Sequence, residues 1–302
     1  MKTVFGKTKE FLMIQDAIIK NKFNSNLLIF SKDEETAMQF AKEVASAVFC
    51  SSHSICGSCE GCVKTEKETN PDLLIYPKQK SFQVDDANSI VETSLLKPMI
   101  FGKKIYLILN IDNSTPAAQN KILKILEEPP QNVLFLLTAS NETKILPTIK
   151  SRCAHILVKS LDKNTLQGFF DVKAENRFNL AYEFGEGFIG STRFALEHPN
   201  FEELNAMADS VIFNLKSSKE IALFSSQICK NKQQFEIVLK LLLLKFSKMI
   251  NSGNIEYSNL CLVEIIEAIT LAKQQIESNV NANIIADNLL MKILELKYKH
   301  RG

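Results

Sequence analysis

Five short apolar runs in the first half of the chain are typical of buried strands. Because almost no polar residue interrupts these runs, they predict strands covered on both faces. Amphipathic segments separate the runs, and this alternation predicts an α/β domain with a parallel, three-layer arrangement. The runs are LLIF at 27–30, LLIY at 73–76, IYLIL at 105–109, VLFLL at 133–137 and HILV at 155–158.

The segments between the runs carry apolar residues at helical spacing. Residues 34–48 and 85–96 each place an apolar stripe on one side of a predicted helix. A third helix is predicted at 116–127, where it ends before Pro129. These helices supply the outer layers that a parallel sheet requires.

After about residue 160 the strand-like runs stop and helical periodicity continues to the end of the sequence. Residues 162–206 predict short helices, with the glycine-rich stretch at 184–194 as a turn between two of them. The remaining pattern predicts four longer amphipathic helices, at 208–229, 233–251, 258–278 and 283–298.

The composition fits this organisation and excludes some functions. A chain of 302 residues is long enough for two or three domains, and we predict boundaries near 160 and 207. The net charge of +2 does not favour tight binding of nucleic acid by the chain alone. No signal peptide and no apolar run of membrane-spanning length are recognisable, so the sequence predicts a cytoplasmic protein without membrane contact.

Four of the seven cysteines lie close together in the stretch CSSHSICGSCEGC. Cys50, Cys56, Cys59 and Cys62 have the spacing C-x5-C-x2-C-x2-C. Zinc takes four thiolates in a tetrahedron, and C-x2-C pairs present two thiolates through one tight turn. The pattern therefore predicts a structural zinc site. A redox-active or simply buried set of thiols is the alternative, and His53 is a second-choice ligand within the stretch.

The junction after the first apolar run lacks the features of a phosphate-binding loop. Such a loop uses glycines and a lysine to hold phosphates, but no glycine occurs between Gly6 and Gly57. The junction instead carries Asp33, Glu34 and Glu35 just before a predicted helix. Carboxylates are favoured at a helix N-terminus, where they would take the anion position and repel a triphosphate. Nucleotide binding is therefore not expected.

Five segments, in this order, resemble the delta-prime family of bacterial DNA polymerase III clamp-loader subunits, which belong to the AAA+ class. The cysteine stretch, KILEEPP and TIKSRC are the most specific of them. The resemblance implies a RecA-like domain at 1–160 with a zinc module at 50–62, a helical lid at 161–206 and a helical collar at 207–302 that oligomerises. The segments are the cysteine stretch, NPDLLIYPKQKSFQVDDANSI, KPMIFGKKIYLILNID, AAQNKILKILEEPPQNVLFLLTAS and LPTIKSRC.

The resemblance also implies a task and partners. The family loads the ring-shaped sliding clamp onto primed DNA, within a hetero-pentamer that includes gamma/tau and delta subunits and belongs to the DNA polymerase holoenzyme. The ATP-hydrolysing gamma/tau subunits are the alternative, and they carry a DE pair directly after the third apolar run. Here Leu109 and Asn110 stand at those positions, so neither a magnesium ligand nor a base is present. No intrinsic ATPase activity and no bound ATP are expected.

Arg152, in the SRC segment, matches the arginine that the family inserts into the ATP site of a neighbouring subunit. Such an arginine finger stabilises the charge on the phosphoryl group during transfer. The alternative is an arginine that is merely exposed or ion-paired.

Other positions match the family without a predicted active role. Arg193 lies at the position of a lid sensor, and Thr138 and Ser140 lie in the region of a strand-end sensor. Without a phosphate loop on the same chain, a structural role is expected for Arg193, and Thr138 and Ser140 are expected to have no nucleotide to sense. Lys121 and Lys124 either face DNA in the assembly or form an ordinary solvated surface. A zinc-dependent nucleic-acid binder that acts alone is a third hypothesis.

Overall fold

The computed structural model describes residues 3–23, 26–251, 257–278 and 280–300. Its contacts divide the chain into two compact units. The first comprises Met1–Lys173 with Gly185–Ser191, and the second comprises Ala174–Phe184 with Thr192–Gly302. The three-domain division at 160 and 207 stays a prediction. Within the described residues, no helix has the length and apolar character needed to cross a bilayer.

A parallel sheet forms the centre of the first unit. Its strand order is β2-β3-β4-β1-β5, and every neighbouring pair is parallel. All five predicted strands are confirmed, with ends that differ by at most two residues. In the described part of the chain the strands are Leu27–Phe30 (β1), Leu73–Tyr76 (β2), Lys104–Ile108 (β3), Val133–Ala139 (β4) and Ala154–Leu157 (β5).

Helices and short turns surround this sheet. The predicted helix at 116–127 is interrupted at Ile122, so that it forms two short segments. Two 3-10 turns follow strands, at Ile111–Asn113 and Glu142–Lys144. The helices are Lys9–Ile19 (α1), Glu34–Phe49 (α2), Glu60–Glu66 (α3), Val84–Ser94 (α4), Pro116–Lys121 (α5), Leu123–Glu127 (α6), Pro147–Lys150 (α7) and Lys163–Phe170 (α8).

The second unit is helical in its described part, and one apolar core runs through it. The division between the units falls at the end of α9 and within α10, so Gly185 and residues 189–191 belong to the first unit. The helices are Glu175–Gly185 (α9), Ile189–Glu197 (α10), Phe201–Asn214 (α11), Lys219–Ile228 (α12), Lys232–Asn251 (α13), Asn259–Glu277 (α14) and Ala282–Lys299 (α15).

The prediction of one helix over 208–229 is wrong, because α11 ends at Asn214 and α12 begins at Lys219. The buried Lys297 donates its ammonium protons to the carbonyls of Val211 and Ile212, at 3.2 and 2.5 Å, and so satisfies the end of α11. Glu220 accepts hydrogen bonds from the backbone N–H groups of the two residues just before Ser218, which stabilises the start of α12.

Candidate functional site

Asp33 occupies the N-cap position of α2, at the junction where nucleotide-binding folds place a phosphate loop. One carboxylate oxygen accepts from the Thr36 backbone N–H at 2.8 Å and from the Thr36 hydroxyl at 2.7 Å. An N-cap carboxylate satisfies donors that a helix leaves unpaired at its start. The Asp33 carboxylate therefore caps the N-terminus of α2.

The same carboxylate holds a second helix start. It accepts from the backbone N–H groups of Gly190 and Ser191, each at 2.9 Å, while Thr36 Oγ1 accepts from the N–H of Ile189 at 2.8 Å. The first three donors of α10 thus find partners at the start of α2. Gly190 permits this approach, because a Cβ there would lie 2.8 Å from one Asp33 oxygen and 2.9 Å from the other.

The environment keeps Asp33 ionised. Partial burial opposes the charge, but hydrogen bonds from Thr36, Gly190 and Ser191 outweigh it and lower the pKa of the Asp33 carboxyl below its ordinary value. A negative charge therefore stands permanently between the starts of α2 and α10. An anionic ligand at this point would be repelled by the Asp33 carboxylate. The backbone N–H groups that it would need already donate to Asp33.

Amide groups stand at the end of β3, where a nucleotide-hydrolysing site would carry acids. The side chain of Asn110 donates to Glu34 at 2.7 Å, and that of Asn113 donates to the other oxygen of Glu34 at 3.3 Å. Leu109 contributes no ligand group. The Glu34 carboxylate near this strand end therefore accepts hydrogen bonds from amide groups of its own chain.

Thr138 and Ser140, in the region that matches the family's strand-end sensor, make hydrogen bonds within the chain. The hydroxyl of the fully buried Thr138 accepts from the backbone N–H of Asn110 at 2.9 Å. Ser140 donates its N–H and its hydroxyl to Asp112, at 3.2 and 3.0 Å. These bonds fix the loop after β3 to the end of β4.

The four clustered cysteines converge between α2 and α3. Their sulfur atoms all lie within 4.8 Å of one another, in a donor set that is able to hold a metal ion. A zinc tetrathiolate with Zn–S bonds of about 2.3 Å has sulfur–sulfur distances of about 3.8 Å, so a small contraction would complete it. His53 is directed elsewhere, since its Nδ1 lies 3.0 Å from the carbonyl oxygen of Ala47.

The thiols of this cluster have divergent acidities. Burial opposes ionisation of Cys50, but hydrogen bonds from Ser52 and from the Cys56 N–H lower the pKa of Cys50 to about 5. Burial raises the pKa of Cys62 to about 12, and a neighbouring Cys50 thiolate adds to that rise. Four adjacent thiolates require a nearby cation, and a bound divalent metal would supply it. The donor set therefore fits zinc.

The cysteine module is packed tightly against the end of α2. A Cβ on Gly61 would lie 2.1 Å from the carbonyl oxygen of Phe49, so only glycine fits there. Gln15 of α1 donates to the carbonyl of His53 at 2.8 Å, which ties the module to the N-terminal helix. The other three cysteines lie outside this group: Cys229 and Cys261 are buried, and Cys153 is partly buried.

Arg152 lies at the surface after α7 and is paired within its own chain. Its Nε and Nη2 atoms donate to one oxygen of Glu127, at 3.2 and 2.9 Å, and Nη1 donates to the carbonyl of Thr148 at 3.0 Å. Sequence reasoning treated the Glu127 motif only as a helix stop and missed this partner. The signal was present, because KILEEPP and TIKSRC are both among the most specific segments.

The remaining candidates are exposed or partly exposed. Arg193 lies 3.6 Å from Glu197, one helical turn further along α10. Lys121 and Lys124 are exposed and line, with Leu95 and Ile125, a shallow cavity of about 330 Å³.

Comparison with known families identifies the chain. The family model described as "DNA polymerase III, delta subunit" matches residues 6–162, which is more than half of the sequence. The chain belongs to this family. The match covers the sheet, the Asp33 junction, the cysteine cluster and Arg152, and it confirms the resemblance that the sequence motifs indicated.

The relatives of this DNA polymerase III family member include proteins named as gamma/tau subunits and proteins named as delta' subunits. The subunit tau/gamma of Haemophilus influenzae is 33% identical over 37% of this chain and 16% of its own length. The subunit delta' of Buchnera aphidicola subsp. Schizaphis graminum is 34% identical over 37% of this chain and 35% of its own length. The chain thus spans well under two thirds of the length of these relatives.

Solved structures include a gamma subunit-related protein from Thermotoga maritima. It has 18% sequence identity and a TM-score of 0.48, and the alignment covers 96% of this chain and 100% of that one.

Proposed function

We propose that this chain is a non-catalytic clamp-loader subunit of the delta-prime type, which helps to load the sliding clamp onto primed DNA. The observation that carries the proposal is the Asp33 carboxylate. It takes the position of a phosphate group and uses donors from α2 and α10 that an anionic ligand would need. The chain would therefore act in its complex without a nucleotide of its own.

A second observation supports the absence of ATP chemistry. Glu34 accepts hydrogen bonds from the side-chain amides of Asn110 and Asn113. These bonds orient its carboxylate, which is therefore not arranged as a metal ligand. Hydrolysis of ATP requires a magnesium ion and a group that positions the attacking water. Neither requirement is supported by the side chains at the end of β3.

Within the proposal, Arg152 serves the neighbouring subunit as a trans arginine finger. Its side chain is 29% exposed and lies on the surface of the first unit. The partners would be gamma/tau and delta subunits in a cytoplasmic hetero-pentamer, a proposal that draws on the names of the relatives. The RecA-like, lid and collar assignments to 1–160, 161–206 and 207–302 belong to the same proposal.

The first test measures nucleotide binding by the purified chain. A fluorescent ATP analogue with Mg²⁺ is titrated against it, and we expect no saturable binding in the micromolar range. A gamma subunit that hydrolyses ATP is the positive control under identical conditions. Saturable micromolar binding would overturn the non-catalytic assignment.

The second test addresses the arginine finger in the reconstituted complex. The Arg152→Ala variant should lower clamp- and DNA-stimulated ATP turnover by at least about tenfold, because the transition-state charge loses a fixed cation. The Arg177→Ala variant, which removes an arginine that donates to the carbonyl of Leu196, is the matched control. Unchanged turnover for an Arg152→Ala complex that assembles normally would exclude the finger role.

The cysteine cluster is proposed to hold one structural zinc ion. Protein prepared without chelator should contain about one equivalent of zinc by metal analysis. The Cys59→Ser variant should bind much less, because it removes one of the four thiolates. Less than about half an equivalent in the unaltered protein would contradict the assignment.

A gamma/tau-type ATPase is the second candidate, since several relatives, including that from Haemophilus influenzae, carry this name. It predicts saturable nucleotide binding in the first test. The contacts of Asp33 and Glu34 favour the non-catalytic subunit.

A further inference from the structure

The two most specific motifs outside the cysteine stretch meet in space through one ion pair. Glu127 ends α6 in the KILEEPP segment, and Arg152 follows α7 in the TIKSRC segment. A single carboxylate oxygen of Glu127 receives the Nε–H and one Nη2–H of Arg152, at 3.2 and 2.9 Å. Two donors on the same edge of the guanidinium therefore share one acceptor, which fixes the plane of the group.

The other side of the guanidinium is held by the α7 turn. Nη1 donates to the carbonyl of Thr148 at 3.0 Å and lies 3.4 Å from the hydroxyl of Ser151. An arginine has five N–H donors. The four contacts named here use four of them, so the second Nη2–H takes part in none of these contacts. Ser151 itself donates to Thr148 at 3.1 Å, so the weak contact to Ser151 is easily given up when a better acceptor arrives.

The backbones that carry the pair are braced together beneath it. Asn26 is buried just before β1, and its side-chain amide donates to the carbonyl of Leu126 at 2.8 Å and to that of Arg152 at 3.4 Å. Its own backbone carbonyl accepts from the N–H of Ala154 at 2.7 Å. One buried residue thus fixes the spacing between the end of α6 and the start of β5.

We propose that Glu127 is a positioning residue for Arg152, which holds the guanidinium side-on so that its Nη edge is ready for phosphate oxygens. The inference rests on the proposed function, since it assumes that Arg152 acts on the nucleotide of a neighbouring subunit. In this proposal the guanidinium of Arg152 binds the terminal phosphoryl group of the neighbour's nucleotide, because its parallel N–H groups match the spacing of phosphate oxygens. Glu127 itself does not touch the nucleotide.

The physical reason is the cost of ordering a long side chain. A free arginine at the surface samples many rotamers, and engagement of the phosphate would then have to select one of them. The Glu127 contact and the α7 carbonyl fix the orientation beforehand, so less conformational entropy is lost when the phosphate is bound. The Glu127–Arg152 ion pair would therefore raise the rate of phosphoryl transfer more than it would strengthen the binding of ATP.

The test uses the reconstituted complex with its gamma-type ATPase subunits, clamp and primed DNA. Glu127→Ala should lower the stimulated kcat by roughly three- to tenfold with little change in the KM for ATP. Glu127→Gln keeps the shape and one acceptor oxygen and should retain more activity than Glu127→Ala. Glu128→Ala is the matched control, because the next residue is exposed and makes no ion pair in the described part of the chain.

A double-mutant cycle separates positioning from a general structural effect. Glu127→Ala should have no further effect in a complex that already contains Arg152→Ala, because the contact acts through Arg152. Equal losses in both backgrounds, unchanged turnover or faster turnover would each overturn the positioning role. If Arg152→Ala itself leaves turnover unchanged, the finger proposal fails, whereas a loss seen only with Arg152→Ala contradicts the Glu127 inference alone.

Discussion

Asp33 and Glu127 are both carboxylates that hold donors, but the donors differ in kind. Asp33 lies at the start of α2 and accepts from backbone N–H groups of two helices. Glu127 has 59% of its side chain exposed and accepts from the flexible side chain of Arg152. The first contact is part of the fold, and the second joins one surface side chain to another.

This difference bears on the proposed function, in which the chain binds no nucleotide of its own and Arg152 acts on that of a neighbouring subunit. The Asp33 carboxylate cannot move away without disrupting the starts of α2 and α10, so an anionic ligand would have to displace both sets of hydrogen bonds. An exposed ion pair is worth only about 0.2–1 kcal/mol, so the contact with Glu127 orients Arg152 at the surface without contributing much to the stability of the fold. The same type of side chain thus holds two helix starts in one place and orients an arginine in the other.

Removal of the Asp33 carboxylate should have the largest effect. Asp33→Ala leaves donors at the starts of α2 and α10 without partners, and we expect a loss of about 3 kcal/mol in the free energy of unfolding. Urea denaturation followed by circular dichroism measures it. Hydrogen exchange should also accelerate across the first turns of both helices.

The matched control for this experiment is Asp85→Ala. Asp85 also lies in the first turn of a helix, but its exposed side chain makes no hydrogen bond or ion pair in the described residues. Its removal should change the unfolding free energy by no more than about 0.5 kcal/mol. If the two variants were equally stable, the contrast between the Asp33 contacts and an ordinary surface carboxylate would disappear.

Gly190→Ala tests the same contact from the other side. Its Cβ would lie 2.8 and 2.9 Å from the Asp33 oxygens, so the start of α10 must shift away from α2. We expect a loss of about 2 kcal/mol by urea denaturation. Gly168→Ala is the control, because nothing lies within 4 Å of a Cβ at Gly168. A Gly190→Ala variant as stable as its control would contradict the close approach.

The Asp33 contribution should depend on pH in a defined direction. Because the pKa of Asp33 is lowered in the folded protein, its stabilisation is complete above the ordinary value of 3.8 and is lost as the pH falls through the folded value. The stability difference between the unaltered protein and Asp33→Asn should therefore be constant near neutral pH and shrink below about pH 4. A difference that grows on acidification would show that the charge is not the stabilising feature.

Loss of the Glu127 contact should have the smallest effect on stability. For the isolated chain, Glu127→Ala should lower the unfolding free energy by less than about 1 kcal/mol, since exposed ion pairs contribute little. Added salt should reduce even this effect. If Glu127→Ala lowered the unfolding free energy as much as Asp33→Ala does, Glu127 would be as important to the fold as Asp33, and the comparison would fail.

The strands and the N-cap of α2 were predictable because their causes are local. Unbroken apolar runs mark strands buried on both faces, and an aspartate before a helical pattern marks a helix start. The contacts from Asp33 to Gly190 and Ser191 join residues 157 and 158 positions apart, so no local pattern reveals them. No local pattern reveals the hydrogen bond between Glu34 and Asn110 either, although the sequence shows directly that positions 109 and 110 carry no acid.

The errors in the helices have the same origin. The break between α11 and α12 depends on Lys297, which contacts the carbonyl of Ile212 from 85 positions away. The partner of Arg152 lies 25 positions earlier, in a motif that looked like a simple helix stop. Local periodicity predicts elements, whereas helix ends and side-chain partners in this chain are often set by distant residues.

The closure at Asp33 has a consequence for any attempt to convert this chain into an ATPase. A glycine-rich loop with a lysine would have to replace the carboxylate, and each intermediate variant would first lose the capping of two helix starts. Acids would then be needed at Leu109 and Asn110 before magnesium gave any benefit. If the proposed function holds, a stepwise route to a nucleotide site would therefore pass through a series of less stable proteins before any catalytic gain.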